Sequence, residues 1–573
     1  MPSSAEPLVT RVQRPVRVTS ASEAAARDAD AIVAGVESFA LMAAAGTVAA
    51  AEVLRAAGDA VAHGVTVWCG GGNNGGDGYI VAAQLARLGV RVVVIAVAPA
   101  RTADAVRAAS LARAARVPIL ERVETSASAP PGVIVDALLG TGAAGPLRDE
   151  VAHATAAIRR ARDAGACIIA LDVPTGVNAT TGARVEGAVR AHTTITFGTC
   201  KRGLLAARDL AGRIVVADIG LDAHAARADD AALLADASVL RHVVPPVRWD
   251  AHKGTRGRVL VIGGAAGMAG AAQFVARGAL ASGAGLVRAL VHTESRAALQ
   301  AAVPAVVCVP DEVPLVESLA WAHAVVLGPG LGRDATARAR VRAVLEGVRD
   351  FGSLVASTHT RRGASQAAAF LAPRRPVLVL DADALVVASD AELWPLLVAC
   401  AERTPTVLTP HAGEFAALAA MNDIPWRTSE DDLSARLTAA RALAAAGGAH
   451  VLLKGAPTCC AAPDGTAWWV PRGSATLATG GTGDVLSGVL GALAAPVRAD
   501  GSLATNELTA LAASAAWVHG VAGERVCPTR DVRGVSVDDV IDALGAAWSR
   551  LRTEAPVSPG VLAELPAVVP ASG

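Results

Sequence analysis

An aspartate in the first turn of a glycine-rich helix is the residue best placed for acid–base chemistry. Asp484 follows Gly480-Gly-Thr-Gly483 and precedes an apolar stretch that begins at Val485. A glycine run at the start of a helix offers unpaired N–H groups to an anion. A carboxylate there can accept a proton from a hydroxyl while the adjacent amides hold a migrating phosphoryl group. We therefore predict that Asp484 is a catalytic base rather than a simple helix-capping acid.

Further polar side chains follow predicted strands in the second half of the chain. Lys454 begins a flexible turn suited to a phosphate or an adenylate. His411 and Glu414 follow another strand, where the neighbouring proline turn favours a substrate contact over a structural histidine. Asp381 and Asp383 fit either a metal-proximal pair or the capped start of a helix, and both interpretations stand. Together these groups indicate a cleft of the kind found in nucleotide kinases.

The first half of the chain carries a second glycine-rich loop, from Gly70 to Gly78. It joins the predicted strand Val65–Cys69 to a helical stretch, and its glycines allow the backbone to approach a phosphate closely. Its spacing formally fits the dinucleotide fingerprint. The next strand, however, ends Val97-Ala-Pro99 and lacks the acidic ribose partner expected about 20 residues on. An ordinary NAD-binding Rossmann site is therefore not predicted.

Two carboxylates in this half, Asp136 and Asp172, each end a predicted strand. Ligands of open parallel sheets bind beyond the carboxyl ends of the strands, so both acids and the Gly70–Gly78 loop should converge on one crevice. Carboxylates beside a phosphate loop repel an anionic ligand unless a cation lies between them. We therefore expect a monovalent or divalent ion near Asn74, Asp136 and Thr175.

The elements that position these residues alternate along the whole chain. Short β-rich segments alternate with alanine-rich amphipathic segments, which is typical of α/β proteins with parallel sheets. Strands are predicted at Val65–Cys69, Val92–Val97, Val133–Val135, Ile168–Leu171, Thr194–Phe197, Ile214–Ala217, Val259–Ile262, Ala324–Leu327, Val377–Leu380, Thr406–Thr409 and Val451–Leu453.

Length and composition restrict the organisation and the class of protein. At 573 residues the chain exceeds the ~250–300 residues of a single core. We predict a front domain at 1–222, a linker at 223–246, a back domain at 247–555 and a loose tail at 556–573. Balanced charges, 52 basic against 52 acidic, give no general reason to expect nucleic acid or anionic lipid. The eight scattered cysteines predict reduced, mostly buried thiols.

Neither a membrane span nor a secretory signal is expected from the sequence. No apolar run approaches the about 20 residues that a span requires. The first twenty residues carry three arginines but no apolar segment of the signal type. These observations favour a cytoplasmic location.

The motifs of the first half resemble those of the NAD(P)H-hydrate epimerases. Four occur in order within about residues 15–222: Gly-Asn-Asn-Gly-Gly-Asp-Gly, Asp-Ala-Leu-Leu-Gly-Thr-Gly, Leu-Asp-Val-Pro-Thr-Gly-Val-Asn and Thr-Phe-Gly-Thr-Cys-Lys-Arg-Gly. The resemblance implies a Rossmann-like fold, K⁺ bound by Asn74, Asp136 and Thr175, and Asp172 as the acid/base that interconverts the R and S hydrates. One departure is Ala43, where the family usually has Glu. The implied substrate contacts are Asn73, Asn74, Gly75, Gly76, Asp77, Gly140, Thr141, Gly142, Ala143, Ala144, Gly145, Pro146 and Asp172.

The motifs from about Val247 to Trp548 resemble those of the ADP-dependent NAD(P)H-hydrate dehydratases, which have a ribokinase-like fold. They include Gly-Pro-Gly-Leu-Gly, Asp-Ala-Asp-Ala-Leu, Thr-Pro-His-Ala-Gly-Glu, Leu-Lys-Gly-Ala-Pro-Thr and Gly-Gly-Thr-Gly-Asp. Generous spacing at 333–376 and 421–432 indicates extensions of loops or helices. The implied hydrate contacts are Ala271, Gly330, His411 and Asp484. The implied nucleotide contacts are Lys454, Gly455, Ala456, Pro457, Thr458 and Gly483.

Together the two resemblances imply a bifunctional enzyme that repairs hydrated NADH and NADPH. Its front domain would interconvert the hydrates NADHX and NADPHX, and its back domain would dehydrate the S form with ADP as phosphoryl donor, ATP being possible and Mg²⁺ expected. The resemblance also implies a homo-oligomer, a tetramer. Two rival functions are a kinase that keeps its phosphorylated product and a front half that binds a ligand without catalysis.

Overall fold

Two β-sheets, one of eight strands and one of twelve, organise the computed structural model. The structure describes residues 15–121, 132–143, 145–221, 231–352, 375–427, 432–496, 505–527, 532–554, 558 and 560–568.

The first half supplies ten strands and eight helices among these residues. The strands are β1 (Arg17–Thr19), β2 (Val65–Cys69), β3 (Val92–Ala96), β4 (Ile119–Leu120), β5 (Val133–Ala137), β6 (Cys167–Leu171), β7 (Thr193–Phe197), β8 (Cys200–Lys201), β9 (Arg213–Ala217) and β10 (Ala232–Leu234). The helices are α1 (Ala21–Val33), α2 (Ser38–Ala57), α3 (Asn73–Arg87), α4 (Ala103–Ala114), α5 (Asp149–Asp163), α6 (Arg202–Ala206), α7 (Arg208–Ala211) and α8 (Ala237–Val243).

The second half continues the same alternation in the described part of the chain. The strands are β11 (Arg258–Ile262), β12 (Leu286–Leu290), β13 (Val306–Cys308), β14 (Ala324–Leu327), β15 (Val377–Leu380), β16 (Thr406–Leu408), β17 (His450–Leu453), β18 (Thr458–Ala461), β19 (Ala467–Val470) and β20 (Val561–Leu565). The helices are α9 (Ala269–Ala281), α10 (Thr293–Ala302), α11 (Leu315–Trp321), α12 (Ala335–Arg349), α13 (Asp383–Ala388), α14 (Leu393–Ala401), α15 (Ala412–Met421), α16 (Leu433–Gly447), α17 (Thr482–Ala494), α18 (Thr505–Val526) and α19 (Val537–Thr553).

The eight-stranded sheet is Rossmann-like, with the order β20-β9-β7-β6-β5-β2-β3-β4. All its pairings are parallel except that of β20 with β9. From β2 the chain builds outward through β3 and β4, and then resumes at β5 on the other side. The carboxyl ends of β2 and β5 therefore flank a topological switch point, where open α/β sheets form their binding crevice.

The twelve-stranded sheet has a ribokinase-like parallel centre. Its order is β13-β12-β11-β14-β15-β16-β17-β18-β19-β10-β1-β8. The seven strands from β13 to β17 pair in parallel, whereas β18 and β19 pair antiparallel. Strands such as β15, Val-Leu-Val-Leu, are buried on both faces because helices cover both sides of the parallel sheet. The predicted fold class and strands are confirmed, with differences of one or two residues at the ends.

The ends of the chain cross between the two sheets, which corrects two of the predicted boundaries. Val561–Leu565, within the predicted loose tail, form β20 and pair with Ile214–Ala217 of β9. Glu564 in that strand accepts ion pairs from both Arg55 and Arg213, at 2.9 and 3.1 Å. The later part of the predicted linker contains β10 and α8, and β10 joins β1 to β19 in the twelve-stranded sheet. Residues 222–230 lie outside the described part.

One helical stretch in the described residues is long and apolar enough to cross a membrane, contrary to the expectation that none exists. It runs from Ser38 to His63 and includes α2. Phe39, Met42 and Val53 of α2 are buried, and the helix packs on α3. Its apolar composition is therefore explained by its place in the core of the front domain. The eight cysteines form no disulfide, and six of them are buried.

Candidate functional site

A cavity of about 1110 Å³ opens at the carboxyl edge of the front sheet, as the topology requires. Its walls come from the loops after β2, β3, β5 and β6, together with α1 and the start of α2. Of the predicted substrate contacts, those lining it are Asn73, Asn74, Asp77, Gly140, Thr141, Gly142, Ala143, Gly145, Pro146 and Asp172.

Asp172 lies in this cavity in a strained conformation and carries a paired charge. Its φ of 63° is in the left-handed region, which is unusual for a residue other than glycine. Its Oδ1 forms an ion pair with the Nζ of Lys201 at 2.9 Å, and its Oδ2 accepts a hydrogen bond from the backbone N–H of Thr141 at 2.9 Å. The Nζ of Lys201 also donates to the carbonyl of Phe197 at 2.8 Å. The carboxylate is thus held in one orientation toward the cavity.

Of the residues expected to bind a cation, Asp136 and Thr175 contact each other, and Asn74 lines the cavity. Thr175 donates to Asp136 twice, from its backbone N–H at 2.9 Å and from its hydroxyl at 2.7 Å. Burial nevertheless raises the pKa of Asp136 to about 6, and the Thr175 and Leu138 hydrogen bonds offset part of that effect. Both polar atoms of the buried Asn74 side chain lack a hydrogen-bond partner in the described part of the chain.

These observations fit a bound K⁺. An unpartnered amide oxygen on Asn74 and a buried carboxylate on Asp136 are hard oxygen donors, the kind that alkali and alkaline-earth cations prefer. A cation there would favour the ionised form of Asp136 and would compensate the buried charge.

More acidic groups lie in the cavity than the sequence reasoning emphasised. Burial raises the pKa of Asp77 well above its usual value, and the nearby Asp172 and Asp28 carboxylates raise it further, whereas Lys201 lowers it. Burial also raises the pKa of Asp28, which projects from α1. The cavity therefore holds a carboxyl group biased toward its neutral form beside the ion-paired Asp172.

Gly75 and Gly76, both predicted contacts, are buried outside the cavity lining. A Cβ on Gly75 would lie 1.9 Å from the carbonyl oxygen of Gly70, and one on Gly76 would lie 2.6 Å from the Met42 side chain. Their contribution is close packing of the loop on the core. Ala144 lies outside the described residues.

In the back domain, α17 positions Asp484 through a close helix–helix contact. A Cβ on Gly488 of α17 would lie 2.1 Å from the carbonyl oxygen of Val275 in α9. A Cβ on Gly278 of α9 would lie 2.5 Å from that of Val485. Only glycine allows these backbones to approach so closely, so the glycines fix the N-terminus of α17.

Asp484 is surrounded by charge. Burial raises its pKa to about 7, the Asp381, Glu414 and Asp383 carboxylates raise it as well, and Lys454 lowers it. A carboxyl group with this pKa is half ionised near neutral pH, which is the condition for effective general-base catalysis. In the first turn of α17, the N–H of Thr482 donates to the carbonyl of Thr479 at 3.3 Å, whereas the N–H groups of Gly483 and Asp484 have no carbonyl partner within the helix and are available to an anion.

A buried ion-pair network lies next to Asp484. The Nζ of Lys454 is 2.8 Å from the Oδ1 of Asp381 and 3.9 Å from the Oε2 of Glu414. Asp381 is almost fully buried and also accepts a hydrogen bond from the hydroxyl of Ser487, one turn after Asp484. These two acids raise the pKa of Lys454 although burial lowers it, so the lysine stays charged at the start of the turn after β17.

His411 caps α15, and its imidazole remains largely exposed. Its Nδ1 accepts hydrogen bonds from the N–H groups of Gly413 and Glu414 at 2.9 and 3.2 Å. Its Nε2 lies 3.3 Å from the Oε1 of Glu414, with 59% of the side chain exposed. The imidazole is therefore held in place and accessible to a ligand.

The structure separates the roles of Asp381 and Asp383. Whereas Asp381 pairs with Lys454, Asp383 begins α13 and accepts a hydrogen bond from the N–H of Gly332 at 3.0 Å. Its other oxygen accepts from Arg333 at 2.8 Å. No group of three or more His, Cys, Asp or Glu side chains suited to a metal occurs among the residues described. Asp383 therefore fixes the glycine loop after β14.

The predicted hydrate contacts Ala271 and Gly330 lie against each other. A Cβ on Gly330, whose φ is 60°, would be 3.0 Å from the Ala271 Cβ. Two of the predicted nucleotide contacts are also neighbours, since a Cβ on Gly483 would be 3.4 Å from the Nζ of Lys454. The remaining predicted nucleotide contacts, Gly455, Ala456, Pro457 and Thr458, run from the turn after β17 into the start of β18, with a cis peptide between Ala456 and Pro457.

Sequence reasoning did not assign several residues of these sites. Lys201 belongs to one of the recognised motifs, but no role was predicted for it. A lysine two strands after Asp172 was nevertheless a candidate ion-pair partner for that carboxylate. Ser487, one turn after Asp484, carried no signal beyond its helical spacing. Arg436 lies over Gly455, where a Cβ would be 2.2 Å from its guanidinium, and it belongs to α16, the helix that precedes β17.

Comparison with known proteins assigns the family. The protein-family model described as NAD(P)H-hydrate dehydratase matches residues 259–545, and the protein-family model described as YjeF-related protein N-terminus matches residues 38–203. The bifunctional NAD(P)H-hydrate repair enzyme Nnr of Escherichia coli (strain K12) is 36% identical over 467 residues, covering 80% of this chain and 81% of that protein. The Salinibacter ruber enzyme of the same name is 35% identical over 549 residues, covering 89% and 92%. A solved ribokinase-like superfamily protein of Enterococcus faecalis V583 is 22% identical, covers 56% of this chain and 96% of that one, and has a TM-score of 0.43. On the two family matches and the two bifunctional relatives, the chain belongs to the family of bifunctional NAD(P)H-hydrate repair enzymes.

Proposed function

We propose that the two sites divide the repair of hydrated NADH and NADPH between them. The front cavity interconverts the R and S hydrates, and the back cleft dehydrates the S hydrate at the expense of ADP, with release of AMP and phosphate. The observation that carries the proposal is the position of Asp484. It lies in the first turn of α17, its pKa is about 7, and Lys454 is close by.

In the back cleft, Asp484 accepts the proton of the hydroxyl group on the hydrated nicotinamide ring. That oxygen attacks the terminal phosphoryl group of ADP, and AMP leaves. Lys454 and the N–H groups of the α17 first turn hold the negative charge that develops. Phosphate then departs, assisted by the lone pair of the ring nitrogen, and loss of a proton from the adjacent ring carbon restores the double bond of the dihydronicotinamide.

In the front cavity, Asp172 acts on the hydroxyl of the same ring carbon, which is bonded to the ring nitrogen. Removal of the hydroxyl proton, with protonation of the nitrogen, opens the ring to an aldehyde, and reclosure on the opposite face inverts the carbon. Lys201 forms an ion pair with Asp172 at 2.9 Å and holds its carboxylate in one orientation. Asn74, Asp136 and Thr175 would hold K⁺, which would supply positive charge near the anionic substrate.

The remaining assignments follow the family. Mg²⁺ accompanies the nucleotide, ATP is a second possible donor, and the enzyme works in the cytoplasm. The chain forms a homo-oligomer, a tetramer by resemblance. Trp249, 97% exposed, and the neighbouring Val247 are apolar side chains available to such an interface. Sedimentation analysis of the wild type and of Trp249→Ala measures the assembly and the contribution of this residue.

Stereochemically pure hydrates test the proposal. The wild type should interconvert the R and S forms without nucleotide, and it should convert the S form plus ADP into reduced nicotinamide, AMP and phosphate in equal amounts. Asp172→Ala should lose only the first activity and Asp484→Asn only the second. Accumulation of a phosphorylated product without recovery of reduced nicotinamide would instead identify a kinase.

A matched control exists for each variant. Asp538 occupies the first turn of α19 as Asp484 does that of α17, but it is 61% exposed and pairs with Arg277. Asp538→Asn therefore removes a first-turn acid without touching the cleft. Asp209→Asn, at an exposed pair with Arg184, serves the same purpose in the front domain.

A further inference from the structure

The front cavity contains more acidic than basic side chains, although its substrate is an anion. Three cations line it, and one of them, Lys201, is paired with Asp172. The other two, Arg101 and Arg148, remain for a substrate phosphate that the N–H groups of a helix N-terminus do not bind. The acidic groups in the lining are Asp28, Asp77, Asp104, Glu150 and Asp172.

The sheet topology assigns the two halves of a dinucleotide to opposite sides of this cavity. Asp172 and Lys201 act on the nicotinamide ring and lie on the β6–β7 side of the switch point. The pyrophosphate belongs at the N-terminus of α3, at the switch point itself. The adenosine half then extends toward the carboxyl end of β3, where residues 97–102 form the wall.

Arg101 lies in this β3 wall, whereas Arg148 lies on the β5 side, at the start of α5. In dinucleotide-binding sheets, an acid after the corresponding strand binds the 2′-hydroxyl of the adenosine ribose, and an arginine there accommodates a 2′-phosphate. This chain has no acid at the end of β3 and has Arg101 five residues after it.

The backbone holds Arg101 in place. Its N–H donates to the carbonyl of Gly71 at 2.9 Å. A Cβ on Gly71 would lie 2.9 Å from the Nε of Arg101, so the guanidinium lies directly over the glycine loop. The next residue, Thr102, donates from its hydroxyl to the Oδ1 of Asn73 at 2.6 Å and also caps α4.

The guanidinium of Arg101 makes no ion pair or hydrogen bond to another described side chain. It is exposed at the cavity wall, and Asp104 nearby accepts a hydrogen bond from Ser38 at 2.6 Å. The N–H groups at the start of α4, a helix of 12 residues, lie immediately after it and favour an anion. An arginine held in place next to a helix N-terminus, with no other described side-chain partner, is suited to bind a phosphate monoester.

We infer that Arg101 binds the 2′-phosphate of NADPHX and makes the front domain prefer NADPHX to NADHX. The inference rests on the proposed epimerase function. Arg101 would then determine specificity but take no part in the bond changes at the nicotinamide ring. Substitution of Arg101 should therefore alter KM and leave kcat unchanged.

The test measures epimerisation of pure (R)-NADPHX and (R)-NADHX by the full chain and by Arg101→Ala. We expect KM for NADPHX to rise at least tenfold, KM for NADHX to change less than twofold, and kcat to be retained for both. Arg101→Asp, which supplies the missing acidic ribose partner, should reverse the preference. The matched control is Arg87→Ala, since Arg87 carries the same charge at the far end of α3.

An equal change in KM for both substrates, no change for either, or a loss of kcat would overturn the inference. If the wild type epimerises neither hydrate, the proposed function itself fails. NADP⁺ and NAD⁺ binding, measured by calorimetry, provides a readout without turnover. Arg101→Ala, or Arg101→Gln if the alanine variant does not fold, should weaken NADP⁺ binding at the front site at least tenfold and leave NAD⁺ binding within twofold. Unchanged NADP⁺ binding would contradict the assignment.

Discussion

Dehydration of the S hydrate should depend on pH through a single group, Asp484. Burial and the surrounding carboxylates raise its pKa from 3.8 to about 7. That difference corresponds to about 4 kcal/mol against the ionised form. Because only the ionised carboxylate can accept the hydroxyl proton, kcat/KM should fall tenfold for each pH unit below 7. At pH 5.5 it should be about 30-fold below its plateau above pH 8.

Lys454 provides a test of the cause of this pKa. Its ammonium group lowers the pKa of Asp484, so Lys454→Met should move the acid limb of the profile to higher pH, in addition to reducing the plateau. Asp381→Asn removes a carboxylate that raises the same pKa and should move the limb to lower pH. The two variants therefore shift the profile in opposite directions, which a general loss of structure would not do.

The assay is the initial rate of phosphate release from pure S hydrate and saturating ADP between pH 5.5 and 8.5, with Asp538→Asn as control. Phosphate release avoids the acid lability of reduced nicotinamide as a readout. A flat profile over this range would refute the assignment of the base. The same acid limb in the residual activity of Asp484→Asn would refute it as well.

Three further predictions concern the front domain. The pKa of Asp136 is about 6 in the folded chain against 3.8 in the unfolded chain, so the free energy of unfolding falls by about 3 kcal/mol as the pH rises from 4 to 6. K⁺ should therefore raise the thermal unfolding midpoint more at pH 8, where Asp136 is ionised, than at pH 5. An equal rise at both pH values would contradict this prediction. Lys201→Met should abolish conversion of the R hydrate, measured by chromatography, and spare dehydration of the S hydrate; a loss of both would indicate misfolding. Deletion of residues 560–573 removes β20 and should lower the free energy of unfolding, measured in urea, by on the order of 3 kcal/mol, because the buried Val561 and Leu565 side chains are lost from the core. As a control, Val568→Ala changes a partly exposed residue and should lower it by less than about 0.5 kcal/mol.

Central strands and glycine loops were predictable because local sequence determines them. Val377–Leu380 is an unbroken apolar run, as a strand buried on both faces requires. Asp484 was recognised for the same kind of reason, since the glycine run and the helix start are contiguous with it. The placing of Asp172 and the Gly70–Gly78 loop around one crevice followed from parallel-sheet topology, and both line the cavity. Asp136 does not line it and instead contacts Thr175.

Short edge strands were not predictable because distant partners determine them. Strands β1 and β10 have three residues each, and together with β8 they join a sheet whose other nine strands lie in the second half of the chain. β20 pairs with β9 more than 300 residues earlier, so its proline-rich surroundings suggested a tail. The alternatives for Asp381 and Asp383 were likewise separated only by contacts with Lys454 and Gly332, which are remote in sequence.

The central claim is that one chain couples two independent sites, Asp172 for epimerisation and Asp484 for dehydration. Pure R hydrate with ADP, followed at the absorbance of reduced nicotinamide, tests it most directly. The wild type should restore NADH or NADPH completely, whereas Asp172→Ala and Asp484→Asn alone should not exceed the rate set by spontaneous epimerisation and dehydration. A mixture of the two variants should recover the activity, because each supplies the site that the other lacks. Rapid repair of R hydrate by either variant alone, or no recovery in the mixture, would contradict the account.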